Sequence, residues 1–177
     1  MLQVKAGQTD KLSLLYSRYS RPLFGYFYHL TRDAAHSEDL VQNVFYRLLK
    51  YRHTFKGDGK FSTWMYHMAR NVRIDAAKKG RRMHYADTLE PWEARMEQNP
   101  NVEMEMTQAE EMDRVRKALD QLPADKRELL VLSRYQNLKY HEIAQLVNST
   151  EGAVKVKIHR ALKDLRTAFE TLEMQGQ

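Results

Sequence analysis

The sequence contains few of the residues that cross-link or bend a polypeptide. It has no cysteine in 177 residues, which excludes disulfides and thiolate metal sites and suits a reducing compartment. It has only seven glycines and four prolines, and this scarcity favours an all-helical chain. No apolar run approaches the roughly 20 residues that span a bilayer, and the start of the chain has no apolar signal segment. We therefore expect a cytoplasmic protein without membrane insertion.

Charge is distributed unevenly along the chain, whose formal net charge is +6. The segment Arg70–Arg82 has six basic residues and one acidic residue, a net charge of +5. The segment Lys139–Arg166 has six basic and three acidic residues, a net charge of +3. Between them, Asp87–Asp113 has nine acidic residues and one arginine, a net charge of −8. Two basic blocks on either side of an acidic segment indicate a nucleic-acid-binding protein with two contact regions.

Apolar residues in the first half of the chain recur every three or four positions, which is the spacing of one helix face. This spacing predicts a first helix from about Asp10 to Leu30, and Pro22 inside it is expected to kink or break that helix. A second helix is predicted after Asp33, whose side chain is suited to cap it, and a third opens at Ser62. Three helices are enough for one small helical domain.

The periodicity fades after Tyr85, where prolines and acidic residues replace the apolar stripe. It resumes in a helix that begins near Ala109 and stops before Pro123, followed by another at about 124–135. The sequence therefore predicts an all-α fold of two small helical domains joined by an acidic linker, the C-terminal one containing a helix-turn-helix. The predicted boundaries are 8–83 for the first domain, 84–108 for the linker and 109–173 for the second domain.

The segment Leu138–Arg166 carries the helix-turn-helix pattern, with a short helix at Tyr140–Val147, a polar turn and a longer basic helix. The apolar residues of the longer helix share one face, and most of its cations lie on the other side. Such a helix fits a DNA groove, and its capped start offers N–H groups to a phosphate. The candidate DNA contacts are Ser149, Thr150, Lys155, Val156, His159 and Arg160. An ordinary amphipathic helix pair with a solvated basic face fits the same spacing.

Three signatures follow one another along the chain. They are Glu38-Asp39-Leu40-Val41-Gln42, then the series Phe61, Trp64, Ala69-Arg70-Asn71 and Asp75, then Glu142-Ile143-Ala144 followed by Gly152, Val154-Lys155 and His159-Arg160-Ala161. In this order and spacing they resemble bacterial sigma factors of the extracytoplasmic-function group, and the resemblance covers nearly the whole chain. It implies an RNA polymerase sigma factor that binds core RNA polymerase, recognises the −10 and −35 promoter elements and directs transcription initiation. It also implies promoter DNA and an anti-sigma factor as partners.

The resemblance also implies roles for particular residues. The helix-turn-helix candidates would contact the −35 element. The residues that would dock on core polymerase are Glu38, Asp39, Leu40 and Gln42, although a solvated polar face fits the same pattern. The residues that would contact or melt the −10 element are Lys56, Phe61, Trp64, His67, Arg70, Asn71 and Arg73. Arginines track phosphates and Asn71 can contact a base edge, whereas Trp64 fits the core better than a base contact, because its turn also presents Met65 and Met68 to the core.

The sequence carries no catalytic motif, neither a metal-binding HExxH pair nor a phosphate-binding glycine loop nor a nucleophile elbow. We therefore expect no enzymatic activity, metal, cofactor or small-molecule substrate. Two other classes of protein remain open: a stand-alone helix-turn-helix transcriptional regulator, and an RNA-binding or structural helical adaptor. The acidic linker is expected either to thread through positively charged channels of the polymerase, as the resemblance implies, or to be a solubilising tether.

Overall fold

The computed structural model describes residues 1–82 and 102–175, with side chains over 1–79 and 111–175. Most of the predicted linker, 84–108, lies outside the described residues. The described residues form α-helices and short helical turns without any strand, so the predicted all-α class is confirmed. The helices are α1 (Leu2–Lys5), α2 (Leu12–Thr31), α3 (Ala34–Lys50), α4 (Phe61–Arg82), α5 (Val102–Gln121), α6 (Ala124–Leu130), α7 (Tyr140–Leu146) and α8 (Glu151–Gln175).

Most helix ends lie where local chemistry predicts them. The Asp33 carboxylate accepts a hydrogen bond from the His36 N–H at 2.8 Å, which makes Asp33 the N-cap of α3. The predicted helix at 124–135 is present as α6 followed by a wider π-helical turn over Val131–Tyr135. The turn between α7 and α8 contains Asn148 at a φ of 49°, a left-handed conformation that asparagine tolerates.

Two helix boundaries differ from prediction. Pro22 does not break α2, which is continuous from Leu12 to Thr31, and the predicted kink at Pro22 stays a prediction. Helix α5 begins at Val102, earlier than the predicted start near Ala109. No glycine or proline lies between Pro100 and Pro123, so no helix-breaking residue opposes the earlier start.

The helices form an N-terminal unit (residues 1–82, α1–α4) and a C-terminal unit (residues 102–175, α5–α8), which pack against each other. Helix α2 contacts α6 and the π-helical turn, and α4 contacts α7. Buried apolar side chains of both units form one contiguous cluster, which runs from Leu23 and Phe27 in α2 to Ile143 in α7 and Ile158 in α8. The basic end of α4 and the helix-turn-helix therefore belong to one packed body, and this packing decides which of their side chains reach solvent.

Candidate nucleic-acid interface

One face of helix α8 is an apolar stripe that is buried in the core. Val154 and Ala161 are completely buried and Ile158 is 1% exposed, in the three- and four-residue steps that the sequence predicts. They lie against α7, whose Ile143 is completely buried. Because the stripe faces the core, the opposite face of α8 must point outward.

The outward face of α8 carries the predicted DNA contacts. Lys155, His159 and Arg160 are exposed and make no ion pair or side-chain hydrogen bond with any residue that the structure describes. Val156 is 49% exposed, a large apolar side chain in open solvent. Three donors around an exposed apolar side chain are suited to bind guanine edges, phosphates and a thymine methyl group.

The two predicted capping residues of α8 differ in what they do. The Thr150 hydroxyl accepts a hydrogen bond from the Ala153 N–H at 3.2 Å, which is the N-cap contact. Ser149 is half-buried, and its hydroxyl makes no hydrogen bond with any described residue. Of the pair, Thr150 therefore fixes the start of α8, and both residues stand next to the helix end that favours an anion.

The loop before α4 is supported by α1, a helix that the sequence reading did not predict. The ammonium group of Lys5 donates to the Phe55 carbonyl at 2.6 Å. Gly57 has a φ of 84°, and a Cβ at this position would lie 2.9 Å from a methyl carbon of Leu2. The loop is thus anchored underneath, and Lys56 at its start is exposed. No sequence signal short of the fold could reveal this support, because α1 has only four residues.

Two aromatic residues at the start of α4 belong to a cluster rather than standing alone. The Trp64 ring centroid lies 5.1 Å from that of Phe55, and the Phe61 centroid lies 5.1 Å from that of Tyr19. Phe61 and Trp64 are half-buried, so each packs on its neighbours with one part and meets solvent with the other. One turn further on, His67 and Asn71 are exposed, with Asn71 Nδ2 and His67 Nδ1 3.4 Å apart.

The predicted −10 set contains two arginines, and both are paired with an acidic side chain. These are Arg70 and Arg73. Arg73 Nη2 lies 3.0 Å from Glu128 Oε2 and Arg70 Nε lies 3.3 Å from Glu128 Oε1. The Tyr26 hydroxyl donates to Glu128 Oε1 at 2.8 Å. Glu128 is 4% exposed and belongs to α6 of the other unit. Nothing in the sequence points to Glu128, because a glutamate in an amphipathic helix does not reveal distant partners such as Tyr26, which lies 102 positions away.

Electrostatics matches this geometry. Burial opposes the charge on Arg73, but the Glu128 carboxylate and the Tyr26 hydroxyl together outweigh burial and raise the pKa of Arg73. Burial, together with the negative charge of Glu128, raises the pKa of Tyr26 well above its usual value, so this hydroxyl stays a donor. A carboxylate removed from water is stable only when it is paired and hydrogen-bonded, and these three side chains meet that need.

A second acidic residue of the C-terminal unit contacts the same surface. Glu142 is 4% exposed, and its Oε2 accepts a hydrogen bond from the Lys139 N–H at 2.8 Å at the start of α7. Its Oε1 lies 3.0 Å from Lys60 Nζ and 3.4 Å from the Thr63 hydroxyl. Burial alone would raise the pKa of Glu142, but the Lys139 N–H and the Lys60 ammonium group hold it below the usual value.

The predicted polymerase-docking face lies on α3. Glu38, Asp39 and Gln42 are exposed, as predicted. Leu40 is 3% exposed and packs in the core, so it supports this face from beneath instead of forming part of it. Glu38 and Gln42 line a groove of about 390 Å³ whose other wall includes Tyr16, which is 47% exposed.

The part of the chain that the structure describes lacks both a membrane-spanning helix and a cluster of metal-binding side chains. Over residues 1–82 and 102–175, no helix is long and apolar enough to cross a membrane. Within the same ranges, no three or more histidine, aspartate or glutamate side chains are placed so that they could hold a metal ion.

Comparison with known proteins gives the same division of the chain. Sigma-70 region 2 matches residues 15–83 and sigma-70 region 4 matches residues 112–165. The ECF RNA polymerase sigma factor SigX of Bacillus subtilis is 31% identical over 167 residues, which cover 92% of this chain and 86% of SigX. The RNA polymerase sigma-H factor of Pseudomonas aeruginosa is 28% identical over 177 residues, which cover 96% of this chain and 92% of that protein.

Two solved structures share the fold. CnrH in complex with the cytosolic domain of CnrY has a TM-score of 0.72 at 19% identity, covering 96% of this chain and 94% of CnrH. The sigma factor RpoE in complex with the anti-sigma factor NepR from Bartonella quintana has a TM-score of 0.66 at 20% identity, covering 94% and 98%. The two helical units, the region 2 and region 4 matches and the identity to SigX lead to one assignment. The chain belongs to the extracytoplasmic-function group of sigma-70 RNA polymerase sigma factors and directs transcription initiation.

Proposed function

We propose that the chain contacts a promoter through two separate surfaces, α8 for the −35 element and the start of α4 with its preceding loop for the −10 element. The observation that carries this proposal is the outward face of α8, where exposed donors stand above a fully buried stripe. Lys155 and Arg160 are suited to donate to guanine or phosphate, and Val156 to contact a thymine methyl group. Val156 departs from the small polar residue that the resemblance leads one to expect, so no −35 sequence preference is carried over from the family.

The −10 role rests on the chemistry at the start of α4. Lys56, Arg70 and Arg73 supply positive charge for a phosphate backbone. Half-buried Phe61 and Trp64 offer partly exposed rings, which are the surfaces on which an unstacked base can lie. His67 and Asn71 are exposed donors one turn further along, where a base edge can be contacted.

Docking on core polymerase is proposed for the exposed side chains of α3. Glu38 lines a partly apolar groove and its neighbour in sequence, Asp39, is an exposed carboxylate, a combination that suits a basic helical partner. The acidic linker, 84–108, is proposed to join the two domains 8–83 and 109–173 and to enter the polymerase with them. A stand-alone regulator would need neither the α3 face nor the −10 surface.

An anti-sigma factor is proposed as a further partner. It is supported by two relatives with this fold, which were solved with CnrY and with the anti-sigma factor NepR. The chain is proposed to act without chemistry of its own, as a binding subunit, and in the cytoplasm, where RNA polymerase and DNA are found.

Run-off transcription tests the proposed function. Purified chain is added to core polymerase and a library of genomic promoters. Specific transcripts are expected only when the chain and core polymerase are both present. The double variant Asp39→Ala, Gln42→Ala is expected to bind core polymerase more weakly in a pull-down with unchanged helical content. Glu170→Ala removes an exposed carboxylate on α8 that pairs only with Arg166 among described residues, and serves as the control. Core binding by the double variant that equals the control would contradict the docking role.

A further inference from the structure

The loop 55–60, which precedes α4 and belongs to the proposed −10 surface, has little internal support. Among the described residues, the backbone of residues 56–59 makes no hydrogen bond. The five residues from Lys56 to Lys60 are all exposed, and two of them are glycines. Fixing a glycine-containing segment costs more conformational entropy than fixing other residues. The shape of this loop must therefore come from contacts with neighbouring parts of the chain.

Helix α1 supplies such contacts at two points. Lys5 Nζ donates to the Phe55 carbonyl at 2.6 Å, across 50 positions of sequence. A charged donor makes a shorter and stronger hydrogen bond than a neutral one. Leu2 lies against Gly57, where the φ of 84° favours glycine and an added Cβ would lie 2.9 Å from a Leu2 methyl carbon. Helix α1 thus contacts the loop at its start and at its first glycine.

Helix α1 is itself fixed to the N-terminal unit. Val4 is completely buried, and α1 contacts the turns Thr9–Lys11 and Arg52–Thr54. The first three residues of the chain form one wall of a groove of about 410 Å³, and Phe61 with the loop forms the other wall. A shift of α1 would therefore change both the backbone of the loop and the groove beside Phe61.

We propose that Lys5 and Leu2 are positioning residues for recognition of the −10 element: they hold the loop 55–60 in the conformation that receives an unstacked base. This inference rests on the proposed −10 role of the loop and of Phe61. Neither positioning residue needs to touch DNA, because each acts through the loop backbone. A loop already held in its binding conformation loses less conformational freedom when DNA binds, which favours affinity and selectivity.

The first measurement follows the loop itself in the full-length chain. Since the chain has no cysteine, Asp58→Cys gives a single exposed site for a nitroxide spin label in the middle of the loop. Asp58 is not among the proposed DNA contacts. The electron paramagnetic resonance spectrum of the label reports how fast the loop moves, whether or not the loop binds DNA.

The variants change one contact each. Lys5→Met keeps an unbranched side chain and removes the donor, and Leu2→Ala removes the methyl groups that lie against the loop. Lys11→Met is the matched control, because Lys11 pairs only with Asp10 among the described residues. The label is expected to move faster in the first two variants and as in wild type in the control. Because the two variants act at different contacts, poor folding of one leaves the other to decide.

The second measurement is the discrimination of the −10 element by holoenzyme without the label. The probes are a single-stranded oligonucleotide with the −10 sequence of a promoter active in the run-off assay, and the same strand with that sequence scrambled. Lys5→Met should lower the ratio of the two affinities about fivefold, as loss of one hydrogen bond would. Lys5→Arg restores a charged donor and should recover most of the ratio, and Lys11→Met should keep it.

The ratio separates positioning from stability. A variant that is only less stable has fewer active molecules, so it binds both strands more weakly by the same factor and keeps the wild-type ratio. Two outcomes overturn the inference: a label as slow in Lys5→Met and Leu2→Ala as in Lys11→Met, or a faster label with an unchanged ratio.

Failure of the proposed −10 function looks different. Asn71→Ala removes an exposed donor that is proposed to contact a base edge and that lies outside the loop. If the −10 assignment is wrong, holoenzyme with Asn71→Ala keeps the wild-type ratio, whereas the motion of the spin label still reports whether α1 holds the loop. A reduced ratio for Asn71→Ala with a wild-type ratio for Lys5→Met would overturn the role of α1 alone.

Discussion

The two basic surfaces of this chain share a charge and differ in their surroundings. On α8, Lys155 and Arg160 are exposed and paired with no described residue. On α4, Arg70 and Arg73 are half-buried and face one carboxylate. The cations of the first surface have no described partner, whereas those of the second are paired with a carboxylate of the C-terminal unit. A count of lysines and arginines does not distinguish the α8 surface from the α4 surface. Only the side chains around those cations show which surface has unpaired charge.

The difference also concerns what holds each surface in place. The α8 surface is supported mainly by apolar packing against α5, α6 and α7 of its own unit. The α4 surface is fixed partly by contacts that cross between units. We therefore expect changes at α8 to act on DNA binding or on local stability. Changes at α4 are expected to act also on the arrangement of the two units.

The largest effect is expected when the support of α8 is removed. Ile158→Ala deletes a side chain that is 1% exposed, and such truncations cost about 2–5 kcal/mol because they lose burial and leave a cavity. Urea unfolding followed by circular dichroism measures the loss. Lys157→Ala on the exposed side of the same helix is the control, with an expected change within about 0.5 kcal/mol. Equal stability of the two variants would contradict the packing described for α8.

The next effect concerns recognition by α8 itself. Replacing Lys155 or Arg160 by alanine should weaken binding of holoenzyme to a promoter by about 1–3 kcal/mol if the side chain contacts a base. Binding to the promoter and to one with a scrambled upstream element is compared by gel shift. Arg166→Ala, with a side chain 82% exposed one turn beyond, is the control.

The two kinds of DNA contact give different patterns in that assay. A base contact is lost selectively, so the variant and wild type converge on the scrambled promoter. A phosphate contact is lost on every sequence and makes the salt dependence shallower by about one unit of slope. If the double variant Lys155→Ala, Arg160→Ala binds every promoter as wild type does, α8 is not a recognition helix.

A smaller effect separates the two capping candidates. Thr150→Ala should destabilise the C-terminal unit by about 1 kcal/mol, because the Ala153 N–H loses its acceptor. Ser149→Ala should change the free energy of unfolding less, since the Ser149 hydroxyl has no hydrogen bond among the described residues. Urea unfolding of both variants provides the measurement. A larger loss of stability for Ser149→Ala than for Thr150→Ala would contradict the assignment of Thr150 as the N-cap of α8.

The smallest effect tests the contact between the units by pH. Burial, with Arg32 and Arg116 nearby, lowers the pKa of His29 from 6.5 to about 4. The folded chain therefore keeps His29 neutral, whereas the unfolded chain takes up a proton as the pH falls through 6.5. Stability is fully present above pH 6.5 and declines as the pH falls toward about 4, by a few tenths of a kcal/mol near pH 6 after allowance for solvent screening.

His29→Phe isolates this contribution. The variant keeps a ring against Tyr135 and cannot be protonated. Its unfolding free energy should vary less with pH between about 6.5 and 4 than that of wild type, and the difference between the two chains reports His29 alone. Parallel pH curves for the two chains would mean that His29 is as accessible to protons when folded as when unfolded.

Local patterns predicted much of the fold. The Asp33 cap, the start of α4 near Ser62 and the helix-turn-helix follow from side-chain chemistry and apolar spacing within one helix length. The family signatures then identified the exposed residues Glu38, Asp39 and Gln42 within one turn of helix. Helix starts were less certain where no glycine or proline marks them, as at Val102.

The contacts between the units could not be predicted from sequence. Tyr26 and Glu128 are separated by 102 positions, and Thr63 and Glu142 by 79. Periodicity reports which face of a helix is buried, and it carries no information on which distant face covers it. Leu40 shows the opposite: the apolar spacing of α3 predicts that it is buried, as it is, although the signature that contains it suggests a role at the surface.

Glu142 divides its two oxygens between a contact inside the C-terminal unit and contacts with the N-terminal unit. Oε2 accepts from the Lys139 N–H at the start of α7, whereas Oε1 meets Lys60 and Thr63 across the boundary. Losing the second pair leaves the first bond intact, so the beginning of α7 needs no rebuilding. The start of α7 therefore depends on a bond inside its own unit, and a change at Lys60 or Thr63 is expected to leave that helix start intact.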